Sequence, residues 1–429
     1  MRDRRVLIAI AATIAPVLAV CLIVGTVFSF SAGRHESVAF NDSDLIPTRS
    51  GIPIESNAFW TLSKATNELY WPELLERKLS DLSDNTNWDD SLAADALEKN
   101  RACLEWFDES FQQLFLLVPE PKTLDEDYPY LSGWKTISRV ESIRVVQLFR
   151  ARKEKEAFDS ALKIIGFGQR VENCGGSIIH YLVGSAIKTI GMRRIQQMTA
   201  QTDLEEADLL GLIHRLDNFK ADKEGLTNAL KVEYQLQCRL LNDIAAGKFS
   251  RTNSAWEQFA IQIGLKMAIN KDKTRMEFAQ TTRVLLNGIP KPFCEIQWSE
   301  LPVMETNAPT WQRMLKGNAI GDILFQLTQP SSETFAARKC QENVTVTATQ
   351  LILALKIYKM RHGKLPEFLS ELVPEFFPRV PADDFDGKPL RYSPDKKIIY
   401  SVGRDLKDSG GESLHSNPKN YDLPFKIEF

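Results

Sequence analysis

Val344-Thr345-Val346-Thr347-Ala348-Thr349-Gln350-Leu351-Ile352-Leu353-Ala354-Leu355-Lys356-Ile357-Tyr358-Lys359-Met360-Arg361 runs directly into His362-Gly363-Lys364-Leu365-Pro366. Val344, Ala348, Leu351, Ile352, Leu355 and Tyr358 fall on one face of a helix, the spacing of an amphipathic segment. Lys356, Lys359 and Arg361 crowd its end, where cations complement the helix dipole, and Gly363 suits a left-handed residue just past the last turn. Pro366 then predicts the first turn of a short second helix through Phe368, Leu369 and Leu372. Leu390-Arg391-Tyr392-Ser393 and Ile398-Ile399-Tyr400-Ser401-Val402, separated by Pro394-Asp395-Lys396, predict a β-hairpin. The stretch is therefore a small α+β module, one long helix on an antiparallel hairpin, assigned to residues 335–429.

Working outward toward the N-terminus, the period is helical from Glu55 to about Thr328. Phe158, Ala161, Leu162 and Ile165 follow the i, i+3, i+4, i+7 rule, as do Ile179, Leu182, Val183, Ala186 and Ile190. Glu154 to Arg170 and Ser177 to Met198, joined across Asn173-Cys174-Gly175-Gly176, predict a helical hairpin. No 34-residue repeat is present, so residues 54–330 are expected to form an irregular antiparallel helical bundle or short helical-repeat domain. Pro290, Pro292, Pro302 and Pro309 predict an ordered non-helical crossing over 286–310, followed by a last helix from Met314 to Leu327. The expected fold is mainly α.

Residues 1–30 predict a cytoplasmic basic tip and a transmembrane helix. Val6 to Phe30 carries no charge, and at ~1.5 Å per residue it spans a hydrocarbon core of about 30 Å. Arg2, Arg4 and Arg5 precede it, so the N-terminus is expected inside and the bulk outside, as in a single-pass protein of a bacterial inner membrane. A cleaved signal peptide is the competing reading, with the site before Ala32. Residues 31–53 are expected to be a linker.

The net charge of −3 leaves no cationic excess for phosphate neutralisation, and no nucleic-acid partner is expected. Cys103, Cys174, Cys238, Cys294 and Cys340 show no CxxC spacing and predict buried free thiols, with one disulfide as the alternative for an extracytoplasmic domain. No Gly-x-Ser-x-Gly, His-Glu-x-x-His, phosphate-loop or dinucleotide glycine pattern occurs. His180 and His214 lie within helices and are expected to be packing residues, and no catalytic residue is assigned.

The module resembles the C-terminal half of the major pseudopilins of type II secretion. The matching residues are Ala354-Leu355-Lys356-Ile357-Tyr358-Lys359, Gly363-Lys364-Leu365-Pro366, Asp384 to Tyr392, and Tyr400-Ser401-Val402-Gly403-Arg404-Asp405. The whole layout looks like that of uncharacterised bacterial envelope proteins carrying this module. The chain departs from the family in having no Gly-Phe processing site and about 300 residues between anchor and module. The resemblance implies a Ca²⁺ loop, for which Asp405, Asp408 and Glu412 are the candidate ligands. Asp383, Asp384 and Asp386 form a second acidic turn. The expected function is a membrane-anchored extracytoplasmic interaction or scaffold protein with an envelope protein partner. The alternatives are a cell-envelope enzyme acting on a polymer and a type II secretion-related component.

Overall fold

A computed structural model describes residues 40–49, 51, 53–124, 126–246, 248, 269–302, 318–328, 331–413 and 421–429. Helices dominate, joined by one three-stranded antiparallel sheet. In chain order the helices are α1 (Phe59–Asn67), α2 (Glu76–Asp84), α3 (Asp90–Lys99), α4 (Arg101–Glu109), α5 (Pro129–Arg150) and α6 (Glu154–Glu172). There follow α7 (Ile178–Gln201), α8 (Glu206–Leu216), α9 (Lys223–Ala245), α10 (Lys271–Gly288), α11 (Ala319–Thr328) and α12 (Ser331–His362). The strands are β1 (Arg391–Ser393), β2 (Ile398–Ser401) and β3 (Leu423–Lys426).

The helix ends follow local chemistry. Asp89, Asp222 and Asn270 each accept a backbone N–H at the start of α3, α9 and α10, which supplies partners for otherwise orphaned donors. Gly363 takes φ +73° after α12, and its N–H reaches the Lys359 carbonyl at 2.8 Å.

The α6–α7 hairpin is the backbone of the molecule, and glycine makes its close approach possible. A Cβ on Gly168 would stand 2.6 Å from the Gly184 carbonyl oxygen, and one on Gly184 would stand 2.6 Å from that of Gly168. A Cβ on Gly191 would meet the Ala161 carbonyl at 2.7 Å. Around this crossing Trp134, Phe158, Phe167, Tyr181 and Ile187 form a core that continues without a break into α12 and the sheet, through Leu351, Leu355, Ile399 and Ile427. The boundary placed at 335 therefore falls inside α12, whose buried face serves both the bundle and the sheet.

A second core joins α9, α10 and α11 through Tyr234, Leu241, Phe278 and Phe325. Leu45, in the segment expected as linker, is fully buried there. Arg275 binds Asp42 at 2.6 Å and Arg283 binds Asp44 at 2.7 Å, so residues 40–49 are docked on α9 and α10.

The expected hairpin forms, with Arg391 opposite Tyr400 and Ser393 opposite Ile398. β3 adds to the free side of β2, Ile398 opposite Lys426, an extra strand that Pro424 conceals in the sequence. Ile427 donates to the Lys397 carbonyl at 2.8 Å. In this alternation residues 423 and 425 face β2, while the backbone polar groups of Pro424 and Lys426 face away. A residue without N–H and a cation on the open edge are features that discourage further strand pairing.

Three other expectations are corrected. The helix predicted from Pro366 is a single 3₁₀ turn, Leu369–Leu372; Glu371 caps it by accepting from Glu367 and Phe368 N–H, and Pro374 stops any extension. The crossing over 286–310 begins inside α10 and continues as 3₁₀ turns at Phe293–Glu295 and Trp298–Glu300. Last, the fold class included a transmembrane helix. Among the described residues no helix is long and apolar enough to cross a membrane, and residues 1–30 lie outside them. The membrane and signal-anchor assignments are set aside.

Candidate functional site

The acidic turn 383–386 is a structural hub. Asp383 is fully buried; one of its oxygens accepts from Phe385 N–H at 3.0 Å and Ser401 Oγ at 2.8 Å, and the other accepts from Val402 N–H and Arg391, each at 3.0 Å. Burial pushes its carboxyl above the usual range, and the hydrogen bonds from Phe385, Ser401 and Val402 offset this only in part. Asp384 reaches back to α12, accepting from Lys339 and Asn343 at 2.9 Å each. Backbone N–H groups of Phe293 and Cys294 bond the carbonyls of Asp384 and Phe385. The hub thus ties sheet, α12 and crossing segment together.

Asp405, Asp408 and Glu412 are not gathered into a metal cage: among the described residues no group of three or more His, Cys, Asp or Glu is placed to hold an ion. Asp405 and Asp408 accept from the backbone N–H two residues on, Lys407 at 3.3 Å and Gly410 at 2.9 Å. Arg391 lies 3.7 Å from Asp408, and the Lys396 ammonium donates to the Gly410 carbonyl at 2.8 Å. Two protein cations therefore occupy the loop's electronegative side.

His180 is buried, 1% exposed. Its Nδ1 accepts from Ser177 N–H at 3.1 Å, so Nε2 carries the proton and donates to Tyr130 Oη at 2.8 Å. Desolvation lowers it to about 4. His214 is exposed.

Where α6, α7 and α12 meet, Lys188 is buried with two carboxylates. Its ammonium donates to Gln169 Oε1 at 2.7 Å, Glu172 Oε2 at 3.0 Å and Glu342 Oε1, and Tyr181 donates to Glu342 Oε2 at 2.6 Å. Among the described residues Glu172 Oε1 has no partner. Desolvation, with the Glu342 charge beside it, holds Glu172 well above the ordinary carboxyl range. Sequence reasoning passed over this group, although charged residues inside otherwise apolar helices were a visible signal.

On the outer side of the same helices runs a groove of about 980 Å³. α7 supplies Thr189, Arg193 and Gln197; α12 supplies Arg338, Gln341 and Thr345. The opposite wall is β3 with Tyr421 and Asp422 before it, and Arg404 joins the lining. Four cationic side chains (Arg193, Arg338, Arg404, Lys426) face two carboxylates (Asp422, Glu428) in a chain of net negative charge. The cations are lightly engaged. Arg193 stands 3.6 Å from Asp84, Arg338 donates to Gln341 at 3.2 Å, and Arg404 lies over the Tyr421 ring, 4.6 Å from its centroid, and donates to Tyr421 Oη at 3.2 Å. Lys426 forms no ion pair among the described residues. Among the described residues, Gln197 Oε1 and Asp422 Oδ1 in the lining are buried and have no hydrogen-bond partner. Asp422 is 1% exposed; its other oxygen accepts from Ser409 and Gly411 N–H at 3.0 and 2.8 Å. Its carboxyl is pushed up by desolvation, and the charges of Asp408 and Asp405 add to this.

Nothing in the sequence singled out the groove, because residues 193, 338, 404 and 426 come together only through the packing of separate elements. Comparison with protein-family models, curated proteins and solved structures finds no match.

Proposed function

We propose that the protein is an interaction protein whose groove between α7, α12 and β3 binds an anionic ligand. The carrying observation is the local charge: four lightly engaged cations against two carboxylates, in a concave site, on a chain whose overall charge is negative. A groove of about 980 Å³ lies at the upper end of the roughly 300–1,000 Å³ typical of small-ligand sites, which suits an extended ligand. Opposed charge gives such a site steering and specificity. The pseudopilin-like module acts as the rigid second wall, held against α12 by Asp384 and braced internally by Asp383.

Calorimetric titration with end-blocked hexaglutamate, against end-blocked hexalysine, tests this. Saturable binding of the acidic peptide alone is expected, weakening as salt rises because the cations on the rim are solvent-exposed. Arg193→Ala with Arg338→Ala should weaken it at least tenfold. Equal binding of hexalysine, or unchanged binding by the double variant, would contradict the proposal.

A further inference from the structure

The cations account for an anion, and the sheet wall constrains the form in which it binds. All four residues of β3, Leu423 to Lys426, line the groove, while no residue of β1 or β2 does. A groove lying on a face of the sheet would be lined by alternate residues of neighbouring strands. This one opens instead on the free edge of the terminal strand. None of the four residues is buried, and Lys426 is exposed. Leu423 and Phe425 turn their backbone groups toward β2, so the Pro424 carbonyl and the N–H and C=O of Lys426 point outward, to the groove side. Among the described residues these three groups have no hydrogen-bond partner.

We infer that the groove takes an acidic polypeptide segment in extended form, added antiparallel to β3 as a fourth strand. The inference rests on the anion-binding reading and names the class of ligand. A peptide residue opposite Lys426 exchanges both backbone bonds with it, and the residue opposite Pro424 donates to the Pro424 carbonyl. Only the bond that proline cannot donate is missing from the two paired positions. An acidic side chain opposite Lys426 lies on the same face of the sheet and forms a cross-strand ion pair. Its acidic neighbours meet Arg193 and Arg338, which stand on the helical wall. The features that discourage pairing with a like strand favour this partner. A second copy of β3 would bring another cation and another residue without N–H, whereas an acidic strand brings opposite charge and a full row of amides. An acidic glycan would satisfy the arginines but lacks the regular alternation of N–H and C=O that a strand edge recognises.

The test titrates four ligands into the full chain: end-blocked hexaglutamate, the same peptide N-methylated at every backbone amide, the same peptide N-methylated at alternate amides, and a uronic-acid oligomer of similar charge. Full methylation keeps the charge and removes every backbone donor, and should weaken binding at least about tenfold, the scale of two lost hydrogen bonds. Alternate methylation leaves one edge of the peptide intact, and strand addition uses one edge only, so that peptide should bind nearly as well as the parent. On the protein side, Lys426→Pro removes an outward N–H and no bond to β2, while Lys426→Ala removes the cation alone. Lys426→Pro should bind hexaglutamate about fivefold more weakly than Lys426→Ala does; should it fail to fold, the methylated series on the wild type decides. Equal affinity of the parent and fully methylated peptides, or equal loss with full and alternate methylation, overturns the inference and leaves the anion-binding groove standing. Equal affinity of the two Lys426 variants does the same. Equal or tighter binding of the uronic oligomer overturns it in favour of a glycan. No saturable binding of unmethylated hexaglutamate or of the uronic oligomer removes the anion-binding reading as well.

Discussion

Replacing Lys188 by Met should be among the most damaging single changes outside the aromatic core. The substitution keeps the volume and the aliphatic stem and removes only the ammonium, which donates to Gln169, Glu172 and Glu342 at once. Two carboxylates from different helices would then face each other in the interior with Tyr181 as their main remaining donor. Breaking a buried ion pair by removing one partner costs about 3–5 kcal/mol, because an uncompensated charge stays behind. Glu172→Gln is the internal comparison. Glu172 is held well above its ordinary pKa, so its neutral form is favoured in the fold, and Gln mimics that form; we expect a change of about 1 kcal/mol or less. The sign with pH follows. A carboxyl raised on folding contributes stability that is full below its unfolded pKa and is lost as pH rises through the folded value. Lys188→Met should therefore be least damaging in acid, where the two carboxyls accept protons. Urea-unfolding midpoints of the wild type and both variants, at pH 5 and pH 8, measure this. A Lys188→Met protein within 1 kcal/mol of wild type at pH 8, or one less stable at pH 5 than at pH 8 relative to wild type, would refute the reasoning.

Other outcomes follow from the same packing. His180, lowered by burial to about 4 from an unfolded value near 6.5, must shed its proton to fold; stability from this site is full above about pH 6.5 and falls as pH drops toward 4, by up to about 3 kcal/mol. The difference in unfolding free energy between wild type and His180→Asn across pH 4–7 isolates it from Glu233, which is raised by desolvation to about 7 and titrates with the opposite sign. An unchanged difference across that range would remove His180 as a source of acid sensitivity. Gly184→Ala should cost about 1–3 kcal/mol, since its Cβ would meet the Gly168 carbonyl oxygen at 2.6 Å and neither backbone can yield without parting α6 from α7. Gly211→Ala on α8 meets nothing within 4 Å and should stabilise by about 0.5–1 kcal/mol; melting temperatures that move the same way for both would contradict the account.

The parts of the fold legible in sequence were those written in local periodicity. The α6–α7 hairpin declared itself through apolar spacing and Gly175-Gly176, and the β1–β2 hairpin through its alternation around Pro394-Asp395-Lys396. β3 was not legible because Pro424 breaks the strand pattern, which an edge strand tolerates. The turn after Pro366 read as a helix because the start signal was present and the stop signal, Pro374, lay only one turn beyond. The docking of Leu45 under α9 and α10 depends on ion pairs from Asp42 and Asp44 to residues more than two hundred positions away, which no local pattern encodes. The acidic loop read as a cation site because its composition is right; Arg391 and Lys396, which come to it from the hairpin, are invisible in the loop itself. The groove is the extreme case. Its cations are far apart in sequence, and only Lys188, Arg193 and Arg194 within an apolar helix hinted that α7 has work on more than one face.

Hydrogen–deuterium exchange with and without saturating acidic peptide tests the central claim most directly, because it locates binding as well as detecting it. The account predicts slowed exchange confined to residues 189–197 of α7, 334–345 of α12 and 421–428 around β3, with α1–α4 unchanged. Protection elsewhere, or no protection in those three segments at a peptide concentration that saturates calorimetric binding, would contradict it.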